Sequence, residues 1–182
     1  EIKGIVAFSP FNSMNKLIRD IAKQKTKVNL SILSPFFDNV NFVRFGKAGN
    51  LRSCDTINSN SIPTLVMHGG NDMQVTVKNS PVGKKHRIKD NPNARTVLYE
   101  SKYHNVYLAK DAEQYLNDTF AKIETLGQNS PEAYEIYQNI DYALITKEDL
   151  TVMETANSFF EECVMKRDFL TDSGEDNLWF SI

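Results

Sequence analysis

Apolar positions along the chain follow two periods. Ile2 to Phe8 (I-K-G-I-V-A-F) is a short apolar run ending at Ser9-Pro10. Ile62 to His68 (I-P-T-L-V-M-H) is a second, closed by Gly69-Gly70, and Arg95 to Glu100 (R-T-V-L-Y-E) is a third, after the turn Asn91-Pro92-Asn93. Short runs bounded by turn residues suit strands covered on both faces, as in a parallel sheet between helices. Elsewhere the period lengthens. Met14, Leu17, Ile18, Ile21 and Ala22 recur at helical spacing, with Asn12 or Ser13 placed to cap them. Ala112, Tyr115, Leu116, Phe120 and Ile123 form another stripe ending near Gly127, and Asp111 with Gln114 resembles a capping box at its start. Val75 to His86 predicts a short helix made irregular by Pro81 and Gly83. Thr26 to Asn60 has no dominant period: Phe36, Phe37, Phe42 and Phe45 are scattered among Asn, Gly and Ser. It reads as a cap or loop-rich excursion.

Strand, helix, strand, helix is the signature of an α/β fold with a parallel sheet. Three strands make a thin sheet, and the chain opens at Glu1, without a Met and already in strand-like sequence. The expectation is that further sheet and the native amino terminus lie upstream. Beyond Gly127 the pattern is purely helical. Ser130-Pro131 caps a short helix through Tyr134, Tyr137 and Ile140. Thr146 to Asp149 opens a longer one carrying Leu150, Met153, Phe159, Phe160, Cys163 and Val164, and its wide apolar face needs a partner surface. Asp168 to Ile182, with Trp179 and Phe180, reads as a docked or frayed tail. The division is an α/β unit over 1–126, with a cap at about 10–60, and a helical extension over 127–182.

With 182 residues, 41% of them hydrophobic, the chain can bury a substantial core. A net charge of −2 rules out a polycation. Lys84, Lys85, His86, Arg87 and Lys89 form the only dense basic patch and read as solvated surface, so nucleic acid is not an expected partner. No run approaches the ~20 apolar residues of a membrane span. Cys54 and Cys163 make neither a disulfide framework nor a zinc ribbon and favour a reducing compartment such as the cytoplasm. An amino terminus lying upstream would take any signal peptide out of view, which leaves localisation open.

The chemistry concentrates at two strand ends. Asp72 follows the second strand and His104 the third, and in open α/β sheets catalytic groups gather outside the carboxyl ends of the strands. A carboxylate there can accept from one ring nitrogen, fixing the tautomer and leaving the other free to take a proton from a nucleophile. Alone, Asp72 is a helix cap and His104 a loop histidine; together they read as catalytic. His68, at a strand end, reads as structural. A metal site built from His68, Asp72 and His104 lacks any metal-ligand spacing, and no metal or cofactor is expected. The phenylalanines of 36–45 either line an acyl pocket or glue the cap to the sheet. Cys163, on an apolar helix face, reads as core.

The segments I-P-T-L-V-M-H-G-G-N-D-M-Q-V (62–75) and S-K-Y-H-N-V-Y-L-A-K-D-A-E-Q-Y-L (101–116) resemble the strand–acid and loop–histidine blocks of the α/β-hydrolase superfamily. The branch they resemble is hydrolase-4, which includes serine aminopeptidase-, lysophospholipase- and carboxylesterase-like enzymes. The opening I-K-G-I-V-A-F-S-P-F is similar to the strand leading into the cap of those enzymes. The resemblance covers about residues 1–126 and implies the carboxyl-terminal part of a hydrolase sheet, with Asp72 as acid and His104 as base. The family order is nucleophile, acid, histidine, with the serine in G-x-S-x-G. No such motif occurs here, and Ser9, in F-S-P, lacks the flanking glycines. The resemblance therefore implies a serine upstream, an inactive isolated chain, and a small-molecule or peptide substrate with an acyl group. The competing class is a non-catalytic hydrolase-like binding module that uses 128–182 for docking.

Overall fold

The computed structural model describes residues 2–27 and 33–172; the tail expected from Asp168 is helical through Asp172, and its remainder with Trp179 and Phe180 lies outside the described residues. Three strands, β1 (Ile5–Phe8), β2 (Thr64–Gly69) and β3 (Ala94–Tyr99), form a parallel sheet in that order. Ile5 stands opposite Thr64, and Thr64 opposite Ala94. The fold is mixed α/β.

β2 is buried along its whole length. Successive side chains of a strand point to opposite faces, so a strand covered twice is apolar on both, here at Leu65, Val66 and Met67. Leu65 and Met67 pack on one face with Val106, Val152, Ala156 and Phe159. Val66 packs on the other with Cys54, Ile57, Val82 and Ile88. β1 is less covered: Ile5 is exposed and its successors are half-buried.

The first face is closed by α7 (Leu150–Asp172), which lays Val152, Ala156 and Phe159 on the sheet at i, i+4 and i+7 spacing. Cys163 packs against the same cluster, while Leu150 and Val164 are exposed, so the buried stripe begins later than the sequence pattern places it. Before α7 come α4 (Lys110–Leu126), α5 (Pro131–Gln138) and α6 (Tyr142–Ile145). The Ser130 hydroxyl accepts from Ala133 N–H at 3.1 Å, capping α5 as the Ser-Pro pair predicts. The capping box on α4 does not form. Ala109 is the N-cap; Asp111 instead pairs with Lys147 at 2.5 Å, and Gln114 donates to Asp118 at 3.0 Å.

The excursion between β1 and β2 is helical rather than loop-rich. It holds α1 (Met14–Thr26), α2 (Ser34–Phe45), a 3-10 turn at Gly46–Asn50 and α3 (Ser53–Asn58). Ser13 caps α1. The α1 stripe is only partly inserted, with Met14 and Ile21 exposed and Asn15 buried. Polar contacts explain this. Asn15 donates to Asp38, Asn41 donates to Asn15, and the Arg19 guanidinium reaches Ser34. α2 buries Asn41 and exposes Phe36, Phe42, Val43 and Phe45, so no inward apolar period marks it. Buried amides also tie the excursion to itself and to the turn after β2. Asn79 accepts from Ser13 N–H and donates to Ser13 C=O, and Asn12 accepts from Cys54 N–H. The irregular helix expected at 75–86 is two 3-10 turns, Val77–Asn79 and Val82–Arg87. Among the described residues no helix is long and apolar enough to cross a membrane.

Candidate catalytic site

β2 leaves the sheet through Gly69 and Gly70, and the loop from β3 crosses directly over that exit. A Cβ on Gly69 would lie 2.5 Å from the Lys102 carbonyl oxygen and press on that of Tyr103; one on Gly70 would lie 2.6 Å from the Glu100 carbonyl oxygen. Backbone against backbone leaves room only for glycine. The contact is stitched by Gly70 N–H to Tyr99 C=O at 2.8 Å and Asn71 N–H to Lys102 C=O at 2.9 Å. Lys102 pairs with Asp149 at 2.5 Å, just ahead of α7, which fixes the loop to the helical layer.

Asp72 is buried on this exit. Its Oδ1 accepts from Gln74 N–H and Val75 N–H, each at 2.8 Å, a side-chain turn that holds the carboxylate in place. Its Oδ2 faces His104 Nδ1 at 2.8 Å. The capping role and the pairing role thus use different oxygens of one carboxylate. Three donors satisfy a group whose burial would otherwise be costly. Nδ1–H donates to Asp72, so the neutral ring keeps its lone pair on Nε2. The imidazole is 30% exposed while the Asp72 side chain is fully buried, so the ring opens toward solvent with the acid behind it. The hydrogen bond to Asp72 holds the His104 pKa above its ordinary value, against the opposing effect of burial; the charges of Asp72 and Glu113 add to the rise.

Two residues hold the pair from other sides. His68 is fully buried, and its Nε2–H donates to Val75 C=O at 2.9 Å, bracing the turn that carries Asp72. Its Nε2 lies 3.5 Å from Asp72 Oδ2, and its Nδ1 is buried without a partner. Burial pushes the His68 pKa down, against the Val75 carbonyl and the Asp72 charge, so the ring is kept neutral. Ser9, at the end of β1, has φ 47° and is buried. Its hydroxyl donates to the backbone carbonyl of His104 at 2.5 Å, so it serves the histidine's peptide and not its ring.

Sequence reasoning missed Glu113, whose carboxylate accepts from Asn105 N–H at 3.1 Å and Tyr103 N–H at 3.4 Å. The signal was partly present: 113, 116 and 123 share helical spacing, and an acid on that apolar stripe needs a buried partner, although Phe120 of the same stripe is exposed. The other singled-out residues lie apart from this chemistry. Lys85, Arg87 and Lys89 are exposed, as the solvated-surface reading expects. Phe36, Phe42 and Phe45 are exposed and Phe37 is half-buried, and none of the four belongs to the clusters packed on the sheet. Among the described residues no group of three or more His, Cys, Asp or Glu is arranged to hold a metal ion.

The two histidines have opposite effects on stability. His68, with a folded pKa below the usual 6.5, contributes fully above pH 6.5, and its contribution is lost as pH falls through the depressed value. His104, with a raised folded pKa, contributes fully below 6.5, and its contribution is lost as pH rises through the raised value. Urea melts across pH 5–8 should therefore show a flatter acid limb in His68→Gln, which keeps an amide donor for Val75 but cannot titrate. An acid limb identical to wild type would contradict the neutral burial of His68.

No family model matches the chain, and no curated protein matches it.

Proposed function

We propose that the chain carries the acid–base half of a serine hydrolase that cleaves an ester, thioester or amide bond. The observation that carries this reading is the 2.8 Å contact between Asp72 Oδ2 and His104 Nδ1, made by a buried acid and a partly open base at adjacent strand ends. His104 Nε2 takes the proton of a serine hydroxyl as that oxygen attacks the acyl carbon, then delivers it to the leaving group. Asp72 fixes the tautomer and stabilises the imidazolium; it does not itself take the proton. Ser9 is committed to the His104 carbonyl, and the chain has no G-x-S-x-G, so the nucleophile comes from outside these 182 residues. The resemblance of 62–75 and 101–116 to α/β-hydrolase blocks supports the same reading, and the parallel sheet is compatible with it. Residues 1–126 are then the back part of the hydrolase sheet with its cap. The mechanism asks for no cofactor.

The pH dependence of kcat/KM in the full-length protein tests this. Because the pair raises the pKa of His104, the acidic limb should fall above the usual histidine value of 6.5. Absence of turnover on ester, thioester and amide substrates alike would end the reading.

A further inference from the structure

We propose that Glu113 is the positioning residue of this site, its buried carboxylate gripping the peptide N–H groups on both sides of His104. The inference rests on the acid–base reading above and deepens it.

Glu113 lies in the first turn of α4, where an acidic residue ordinarily serves its own helix end. Here it turns away from that role. Oε1 takes the N–H of Asn105 and Oε2 that of Tyr103, so one carboxylate spans the residue between them. The Ser9 hydroxyl holds the carbonyl of that same residue at 2.5 Å. The backbone around His104 is therefore fixed from β1 and from α4 at once, while Asp72 fixes the ring. A base must hold its geometry within a fraction of an ångström to be effective, and a loop does this only when its own backbone is anchored.

The group is costly to bury. Only 3% of Glu113 is exposed, and burial raises its pKa, against the two backbone bonds and the charge of Lys102. The charged groups facing it are Lys102, itself paired with Asp149 just ahead of α7, together with Asp72 and His104. A neutral amide would fill the same space at lower desolvation cost. It would offer one acceptor where two donors converge, and it would remove a negative charge that favours the protonated imidazole.

Two substitutions separate grip from charge. Glu113→Gln keeps the shape, loses one acceptor and the charge; Glu113→Asp keeps the charge and loses reach. The readouts are amide exchange at Tyr103 and Asn105 and the titration of the His104 ring, both by NMR, with kcat and KM, all measured on the full-length protein. Glu113→Gln should speed exchange at one or both amides about tenfold, lower the His104 pKa, and cut kcat about tenfold with KM little changed. Glu113→Asp should speed exchange similarly while the His104 pKa stays raised. Exchange and titration unchanged in Glu113→Gln would overturn the proposal; should that variant fail to fold, unchanged exchange in Glu113→Asp would do so. Asp72→Asn serves as the control. If Asp72→Asn lowers the His104 pKa while Glu113→Gln leaves both the exchange and that pKa unchanged, positioning by Glu113 fails and the pair stands. If both variants behave as expected while the wild-type protein hydrolyses nothing, the positioning holds and the hydrolase reading fails.

Discussion

Asp72→Asn should lower kcat of the full-length protein by about 10⁴-fold while leaving its melting temperature near wild type. The geometry explains why these two readouts separate. Gln74 N–H and Val75 N–H hold Oδ1, and an asparagine keeps that oxygen and so keeps the turn. What changes is the atom facing His104, where an amide N–H replaces Oδ2. Nδ1 must then accept rather than donate, and the ring proton moves to Nε2, the position from which the base should act. A protein that folds with the wrong tautomer is the expected outcome. Asp72→Ala, by contrast, would also release the two backbone N–H groups and should destabilise the turn. A loss of activity in Asp72→Asn that merely followed a loss of stability would point to a structural role.

Gly69→Ala should cost about 3 kcal/mol of stability and about 10²-fold in activity, although it adds only a single methyl. The added Cβ meets carbonyl oxygens of Lys102 and Tyr103, which are backbone atoms and cannot rotate away. The crossing loop must rise, and His104 rises with it. Gly127→Ala is the matched comparison. Gly127 closes α4 at φ 87° with nothing within 4 Å, so the cost there is conformational only, about 1 kcal/mol, with no effect on activity. Denaturant midpoints and kcat/KM for the two variants separate close approach from backbone conformation. Equal effects would mean that the loop yields more readily than the packed backbones imply.

Much of the sheet was legible because burial on both faces writes itself into sequence. β2 could hardly be read otherwise, with apolar side chains at successive positions and a glycine pair at its end. The Ser13 and Ser130 caps were legible for a similar reason, since a hydroxyl ahead of a helical stripe has a specific donor to satisfy. α2 was not legible. It turns Asn41 inward and Phe36, Phe42 and Phe45 outward, and a helix held to Asn15 of α1 through its own Asp38 and Asn41 leaves no apolar period to find.

The site divides along the same line. Asp72 and His104 could be nominated because strand ends collect chemistry, and the structure brings them within 2.8 Å of each other. Their supports could not be nominated so directly. Ser9 acts through its hydroxyl on a carbonyl 95 positions away, and nothing local in F-S-P encodes that partner. The capping box assigned to Asp111 and Gln114 drew attention to the wrong acid of the first turn, since Asp111 faces outward to Lys147 while Glu113 faces inward. His68, read as structural, is indeed buried, but its bond to Val75 makes it a brace for the acid.

Mapping the adduct of a fluorophosphonate probe on the full-length protein bears most directly on the central claim, because the probe bonds only to an activated serine. The account predicts one adduct, on a serine in G-x-S-x-G outside these 182 residues, abolished by His104→Ala. An adduct on Ser9, or one outside the chain that persists in His104→Ala, would contradict it.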